Sequence, residues 1–157
     1  SLVANDLKKP LPQNFTLSYD VIVPENFTWG AKGLVLLLAK EKTAGVTESF
    51  ISLKLRPGYG GADGQITIET KFPSGYASES NWYPATGFSN NKKYNRITVT
   101  VKKIEETLQL FIDKVKIAEY EKAIPSAHLF NALSFYAGGG DNENDKFYIS
   151  NIRITKE

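Results

Sequence analysis

Apolar and polar residues alternate with a period of two through much of this chain, most cleanly from Tyr94 to Tyr120. Ile97, Val99 and Val101 take turns with Thr98, Thr100 and Lys102, the pattern of a strand with one wet face. Leu108, Leu110 and Ile112 repeat it after the polar turn Ile104-Glu105-Glu106-Thr107. A tight corner at Asp113-Lys114 then reverses the chain, with Val115 and Ile117 on one side and Lys114, Lys116 and Ala118 on the other. The stretch predicts three consecutive antiparallel strands, a β-meander.

The same period recurs elsewhere. Phe15, Leu17, Tyr19, Val21 and Val23 alternate with Thr16, Ser18 and Asp20, and Pro24 stops the run. Ahead of it, Lys8-Lys9-Pro10-Leu11-Pro12 breaks any continuous strand, so residues 1 to 14 contribute one edge strand. Leu34 to Leu38 is solidly apolar, as a central strand covered on both sides would be. Phe50 to Arg56 puts Ile51, Leu53 and Leu55 inward, and Gln65 to Phe72 returns with Ile66 and Ile68 inward. Pro73 to Lys93 reads as a long irregular stretch rich in Ser, Gly, Asn and aromatics, and such loops carry function or motion. Ala123 to Asn131 fits one turn of helix or a sheet crossover, and Leu133 to Ala137 is another strand. Near the end, Phe147 and Ile149 occupy odd positions but Ile152 and Ile154 even ones, so a bulge is expected near Ser150-Asn151. Nine or ten short strands at hairpin spacing, without an amphipathic helix, predict an all-β, two-sheet antiparallel sandwich.

Composition narrows the function classes. At 157 residues the chain fits a single domain over 1–157, and a globule of this length buries about 68 to 70% of its unfolded surface. Nineteen basic against 17 acidic side chains, with the lysines scattered, argue against nucleic acid as a partner. The longest apolar run, Gly33 to Ala39, is far shorter than the ~20 residues of a membrane helix. With no Cys, disulfides, thiolate nucleophiles and Cys-ligated zinc are excluded. The start Ser1-Leu2-Val3-Ala4 suggests an excised domain or mature fragment of a secreted, periplasmic or cell-surface protein.

The order of elements resembles the concanavalin A-like lectin and glucanase superfamily, including laminin G-like domains. The residues carrying the resemblance are FTLSYDVIVP, then YNRITVTV followed by TLQLFIDKVKIAEY, and the terminal FYISNIRI. It spans nearly the whole chain as a pattern, although Asp113-Lys114 stands where the family's hairpin often has Asp-Gly or Asn-Gly. The resemblance implies a jelly roll of two antiparallel sheets, one concave, with carbohydrate as the commonest ligand. It also implies a likeness to the sandwiches that serve as accessory domains in bacterial cell-envelope proteins.

The resemblance directs attention to carboxylates. Glucanase relatives carry Glu-x-Asp-x-x-Glu, a pair of carboxylates set across a glycosidic bond. Glu143-Asn144-Asp145 is the nearest string here, and Tyr148 stands where the second Glu belongs. His128, the sole histidine, has no Ser-containing elbow near it in sequence and is expected to pack or lie at the surface. Asp141, Glu143 and Asp145 offer oxygen ligands for Ca²⁺, but Lys146 occupies the place where an EF-hand loop needs Gly, so a solvated turn is the favoured reading.

Aromatics in the predicted loops are the richest set: Trp29, Tyr59, Tyr76, Trp82 and Tyr83, with Asn81 among them and Ser80, Asn90 and Asn91 nearby. Indole and phenol rings stack on the C–H faces of sugars while amides bond the hydroxyls. The same Trp residues would serve equally as caps on the open ends of a sandwich core. Asn14-Phe15-Thr16 and Asn26-Phe27-Thr28 match the N-glycosylation sequon. The expectation is a non-catalytic glycan-binding module without a cofactor. Two alternatives stand beside it: a domain that contacts a neighbouring protein domain and takes no small ligand, and a glycoside hydrolase with carboxylates drawn from distant residues.

Overall fold

The computed structural model describes residues 2–7, 9–24, 33–43, 46–56, 64–72, 75–83, 94–138 and 147–157. Its alternating stretches form strands β1 (Leu2–Asp6), β2 (Phe15–Pro24), β3 (Gly33–Thr43), β4 (Val46–Arg56), β5 (Gly64–Phe72), β6 (Gly75–Tyr83), β7 (Tyr94–Ile104), β8 (Thr107–Ile112), β9 (Val115–Tyr120), β10 (Ala132–Gly138) and β11 (Tyr148–Lys156). They make two sheets, one in the order β1-β10-β3-β4-β5-β6 and one in the order β11-β2-β7-β8-β9, with every pairing antiparallel. This is the two-sheet sandwich that the period of two predicts. Among the described residues no helix is long and apolar enough to cross a membrane.

The inward set follows from alternation. Phe15, Leu17, Tyr19 and Val21 of β2, Ile97, Val99 and Val101 of β7 and Leu108, Leu110 and Ile112 of β8 are all buried. They join one cluster with Leu34, Leu36 and Leu38 of β3, Ile51, Leu53 and Leu55 of β4, and Ile66 and Ile68 of β5. Each such side chain removed from water stabilises the fold by roughly 1.5–3 kcal/mol before conformational entropy is counted. The rings of Tyr19 and Phe135 meet edge to face at 4.8 Å and join β2 to β10 across the sandwich. At the other side of the sandwich β6 lies against β9. A cavity of about 10 Å³ remains between the sheets beside Tyr19, Leu55 and Phe147, room for about one water.

Several sequence expectations change. Residues 75–83, expected in an irregular stretch, pair along their whole length with β5, from Gly64↔Tyr83 to Phe72↔Gly75. The polar sequence GYASESNWY hid this strand, because hydrophobic periodicity is faint where a strand carries Ser, Glu and Asn. In β9 the core takes Ala118 and Tyr120, while Val115 is 53% exposed and Ile117 half-buried. An irregularity between Leu110 and Phe111 shifts the β8–β9 register and flips the parity inferred from Val115 and Ile117. The expected bulge in the last strand is present between Ser150 and Arg153.

Residues 121–131 form no helix and instead close one end of the sandwich with turns. Ile124 and Phe130 are buried in the core. The Leu7 amide donates to the Asn131 carbonyl at 2.9 Å and the Leu11 amide to the Phe130 carbonyl at 2.8 Å. The Asn131 side chain accepts from the Glu41 amide at 2.8 Å and donates to the Glu41 carbonyl at 3.0 Å, filling the place of a strand residue. Beneath the segment lies Lys103, on the inward parity of β7 and wholly buried. Its ammonium donates to the carbonyls of Gln13, at 2.5 Å, and Ser126, at 3.1 Å.

Candidate functional site

The outer face of the six-stranded sheet brings charge, hydroxyls and aromatic residues into one register. Cross-strand pairing sets out its rows. One row runs Ser134, Leu37, Ser52, Glu69 and Ser78, and the next runs Tyr136, Val35, Lys54, Thr67 and Ser80. Flanking them are Arg56, Gln65 and Trp82 on one side and Ala39, Phe50, Lys71 and Tyr76 on the other. From β10 to β6 the face crosses four strand spacings, about 19 Å at the usual separation of paired strands.

Its centre is an ion pair. Lys54 Nζ donates to Glu69 Oε1 at 3.0 Å on the diagonal between β4 and β5, and the two side chains are 18% and 28% exposed. An exposed ion pair of this kind contributes ~0–1 kcal/mol. Beside it Ser52 is nearly buried, and its hydroxyl finds no hydrogen-bond partner among the described residues. An unpaired buried hydroxyl costs about 1–3 kcal/mol. The arrangement therefore offers a donor and an acceptor of full charge at the surface, above a buried hydroxyl.

The register sorts the residues expected to bind. Trp82 and Tyr76 pair with Gln65 and Lys71, on the outer-face parity, together with Ser78 and Ser80. Asn81 and Tyr83 pair with Ile66 and Gly64, on the parity whose β5 members Ile66 and Ile68 enter the core. Trp29 and Tyr59 lie outside the described residues, as do Asn90 and Asn91. The weak calcium candidates Asp141, Glu143 and Asp145 lie outside them too, and among the described residues no group of three or more His, Asp or Glu is placed to hold a metal ion. Sequence reasoning missed Ser52, Lys54 and Glu69. The signal was present, since each sits on the wet parity of a cleanly alternating strand, but their meeting depends on the β4–β5 register.

Of the two places expected for it, His128 takes the packed one and is half-buried. Its Nε2 lies 2.9 Å from Ser49 Oγ, and its ring meets Phe72 and Phe130 edge to face, each at 5.0 Å. A serine thus does stand beside the histidine, supplied by β4 from far along the chain. Ser49 is wholly buried, which keeps this pair away from any substrate. Burial, then the positive charges of Lys40 and Lys103, hold the imidazole below its ordinary value, with Glu48 opposing. Asn14, at the first sequon, receives the Glu105 amide on its side-chain oxygen at 2.9 Å and donates to the Glu105 carboxylate at 3.3 Å.

No protein-family model matches the chain, and no curated protein matches it in sequence. Solved structures do match, galectins among them. A tetrameric galectin from the ball sponge Cinachyrella sp. is 14% identical with a TM-score of 0.62, over 99% of both chains. Xenopus laevis galectin-Ib is 13% identical with a TM-score of 0.63, over 99% of this chain and all of that one. Congerin II liganded by lactose and MES is 13% identical with a TM-score of 0.62, at the same coverage. At such identities the likeness is one of architecture: the chain shares with these structures a jelly-roll sandwich of two antiparallel sheets.

Proposed function

We propose that this protein is a non-catalytic glycan-binding module whose site is the outer face of the six-stranded sheet around Lys54 and Glu69. The observation that carries the reading is the 3.0 Å ion pair, partly open to solvent, on a face shared by register with Trp82 and Tyr76. A sugar hydroxyl both donates and accepts. Glu69 would accept a hydrogen bond from it, Lys54 would donate to a neighbouring oxygen, and hydrogen bonds to charged groups contribute about 1.5–3 kcal/mol each. The rings of Trp82 and Tyr76 suit the apolar C–H face of a pyranose. Such binding needs no metal and no carboxylate pair across a glycosidic bond. The lactose-liganded congerin II among the similar structures supports the same ligand class.

The test is a glycan-array screen with and without calcium, followed by calorimetry on the wild type, Lys54→Met, Glu69→Gln and Trp82→Ala. Binding by the wild type that falls about tenfold or more in each folded variant, indifferent to calcium, is the expected result. A wild type that binds no glycan, or folded Lys54→Met and Glu69→Gln variants that bind unchanged, would overturn the reading in favour of a protein partner.

A further inference from the structure

The end of the sandwich closed by residues 121–131 is held by an unusual fastening. His128 is the chain's only histidine, and its Nε2 meets the buried Ser49 hydroxyl at 2.9 Å. Rings of Phe72 from β5 and Phe130 from its own segment flank it at 5.0 Å. Charge around it is predominantly positive. Lys40 on β3 and Lys103 on β7 disfavour a second cation, while Glu48 on β4 opposes them and is itself bound to Lys40 at 3.4 Å. Glu121 and Lys122 of the same segment, and Lys9 of the connection between β1 and β2, are exposed. A neutral imidazole suits this place; an imidazolium, desolvated between two phenyl rings and beside two ammonium groups, does not.

We propose that the Ser49–His128 contact is an acid-released latch: protonation of His128 frees residues 121–131 from the end of the two sheets while the sheets themselves stay paired. The asymmetry arises because each half of the closure has its own anchor. Lys103 grips the Ser126 carbonyl whatever the state of the histidine, and Asn131 stays tied to Glu41, so the part that opens lies around His128 and Leu129. Leu129 is already 42% exposed and adds little to hold it shut. The sign follows from the neutral preference. The latch is intact above the ordinary imidazole value of 6.5 and is lost as pH falls below it, through the lowered value of the folded state.

The single histidine makes the test direct. Its ring protons are followed by NMR from about pH 7.5 to about pH 4.5, and amide exchange is measured over the same range on the intact chain. The expected result is a midpoint below 6.5, with amide protection at 127–130 falling about tenfold or more in step with it while β7 and β8 keep theirs. His128→Gln, which keeps a neutral polar group near Ser49, is expected to hold its protection across the range. A midpoint at or above 6.5, protection unmoved by protonation, or the same acid loosening in His128→Gln would overturn the proposal. Should His128→Gln fail to fold, coincidence of the two wild-type curves decides it alone.

Discussion

Asn151, at a φ of 52° in the bulge of β11, donates its side-chain amide to the Asp20 carboxylate on β2 at 2.8 Å. The bulge and the buried carboxylate thus explain one another. Asp20 is 6% exposed and also receives the Thr98 hydroxyl at 2.7 Å and the Arg96 guanidinium at 3.3 Å. Asn151 first, then Thr98, hold its carboxyl below the ordinary 3.8 against the opposing effect of burial. Asn tolerates the left-handed region better than most residues, and its amide reaches where a backbone donor would otherwise be needed.

Removing that amide separates the two roles. Asn151→Ala loses both the hydrogen bond and the tolerance of positive φ, and is expected to cost about 2–3 kcal/mol. Asn151→Gly keeps the backbone at ease and is expected to cost about 1–2 kcal/mol. Urea unfolding of the two variants checks the order. In the wild type, Asp20 favours the folded state above pH 3.8, and this contribution is lost as pH falls below that value through the lowered folded one. Asp20→Asn is expected to flatten that part of the acid profile.

Gly33 has a φ of 67°, and a Cβ there would press on the Leu55 carbonyl oxygen and lie 2.7 Å from Arg56 Cγ. Gly33→Ala is therefore expected to destabilise by about 2–4 kcal/mol, from strain and from the backbone shift needed to relieve the clash. Thermal unfolding monitored by circular dichroism measures it. A shift of the size typical for an exposed Gly→Ala would contradict the close approach of β3 to β4.

The β8–β9 hairpin turns on Asp113 and Lys114, with φ of 48° and 70°, both in the left-handed region that a type I′ turn requires. Asp113 suits its place, because its carboxylate accepts the Thr98 amide at 2.9 Å. Lys114 has no such compensation on the backbone. Lys114→Gly is expected to stabilise by about 0.5–1 kcal/mol, read as a raised urea midpoint, whereas Asp113→Gly is expected to gain nothing.

Lys103 is a cation inside the protein held by two carbonyls. Lys103→Met preserves the length of the side chain but leaves the Gln13 and Ser126 carbonyls without this donor, and is expected to cost about 1–3 kcal/mol. Burial first, with Glu105 opposing, lowers the amine from its ordinary 10.5. The unfolded chain therefore binds the proton more tightly, so stability is gained as pH rises through the lowered value toward 10.5. Loss of this alkaline gain in Lys103→Met, measured in urea titrations at stepped pH, checks the sign.

The sandwich was legible because alternation carries it: the inward sets of β2, β7 and β8 are the ones their sequences display. The parity change from Phe147 and Ile149 to Ile152 and Ile154 even located a bulge. Alternation failed where its carrier was absent, in the polar β6, and where a register shift intervened, in β9. The candidate site was less legible for a related reason. Its ion pair joins residues 15 positions apart on different strands, and its rows exist only once five strands are paired. Composition drew attention to aromatics, whereas cross-strand register decides which of them share a face.

The pairing of β2 with β11 also has a bearing on how the chain reaches this state. Thr16 and Glu157 bond side chain to side chain although 141 positions separate them. During synthesis β2 can pair with β7 about eighty residues after it emerges, yet its other edge waits for the strand from Tyr148 to Lys156. Until then a strand carrying Phe15, Leu17 and Val21 presents open backbone groups to whatever is near. Completion is thus a late, long-range event, of the kind that makes folding slow and leaves a strand edge open until the last residues arrive.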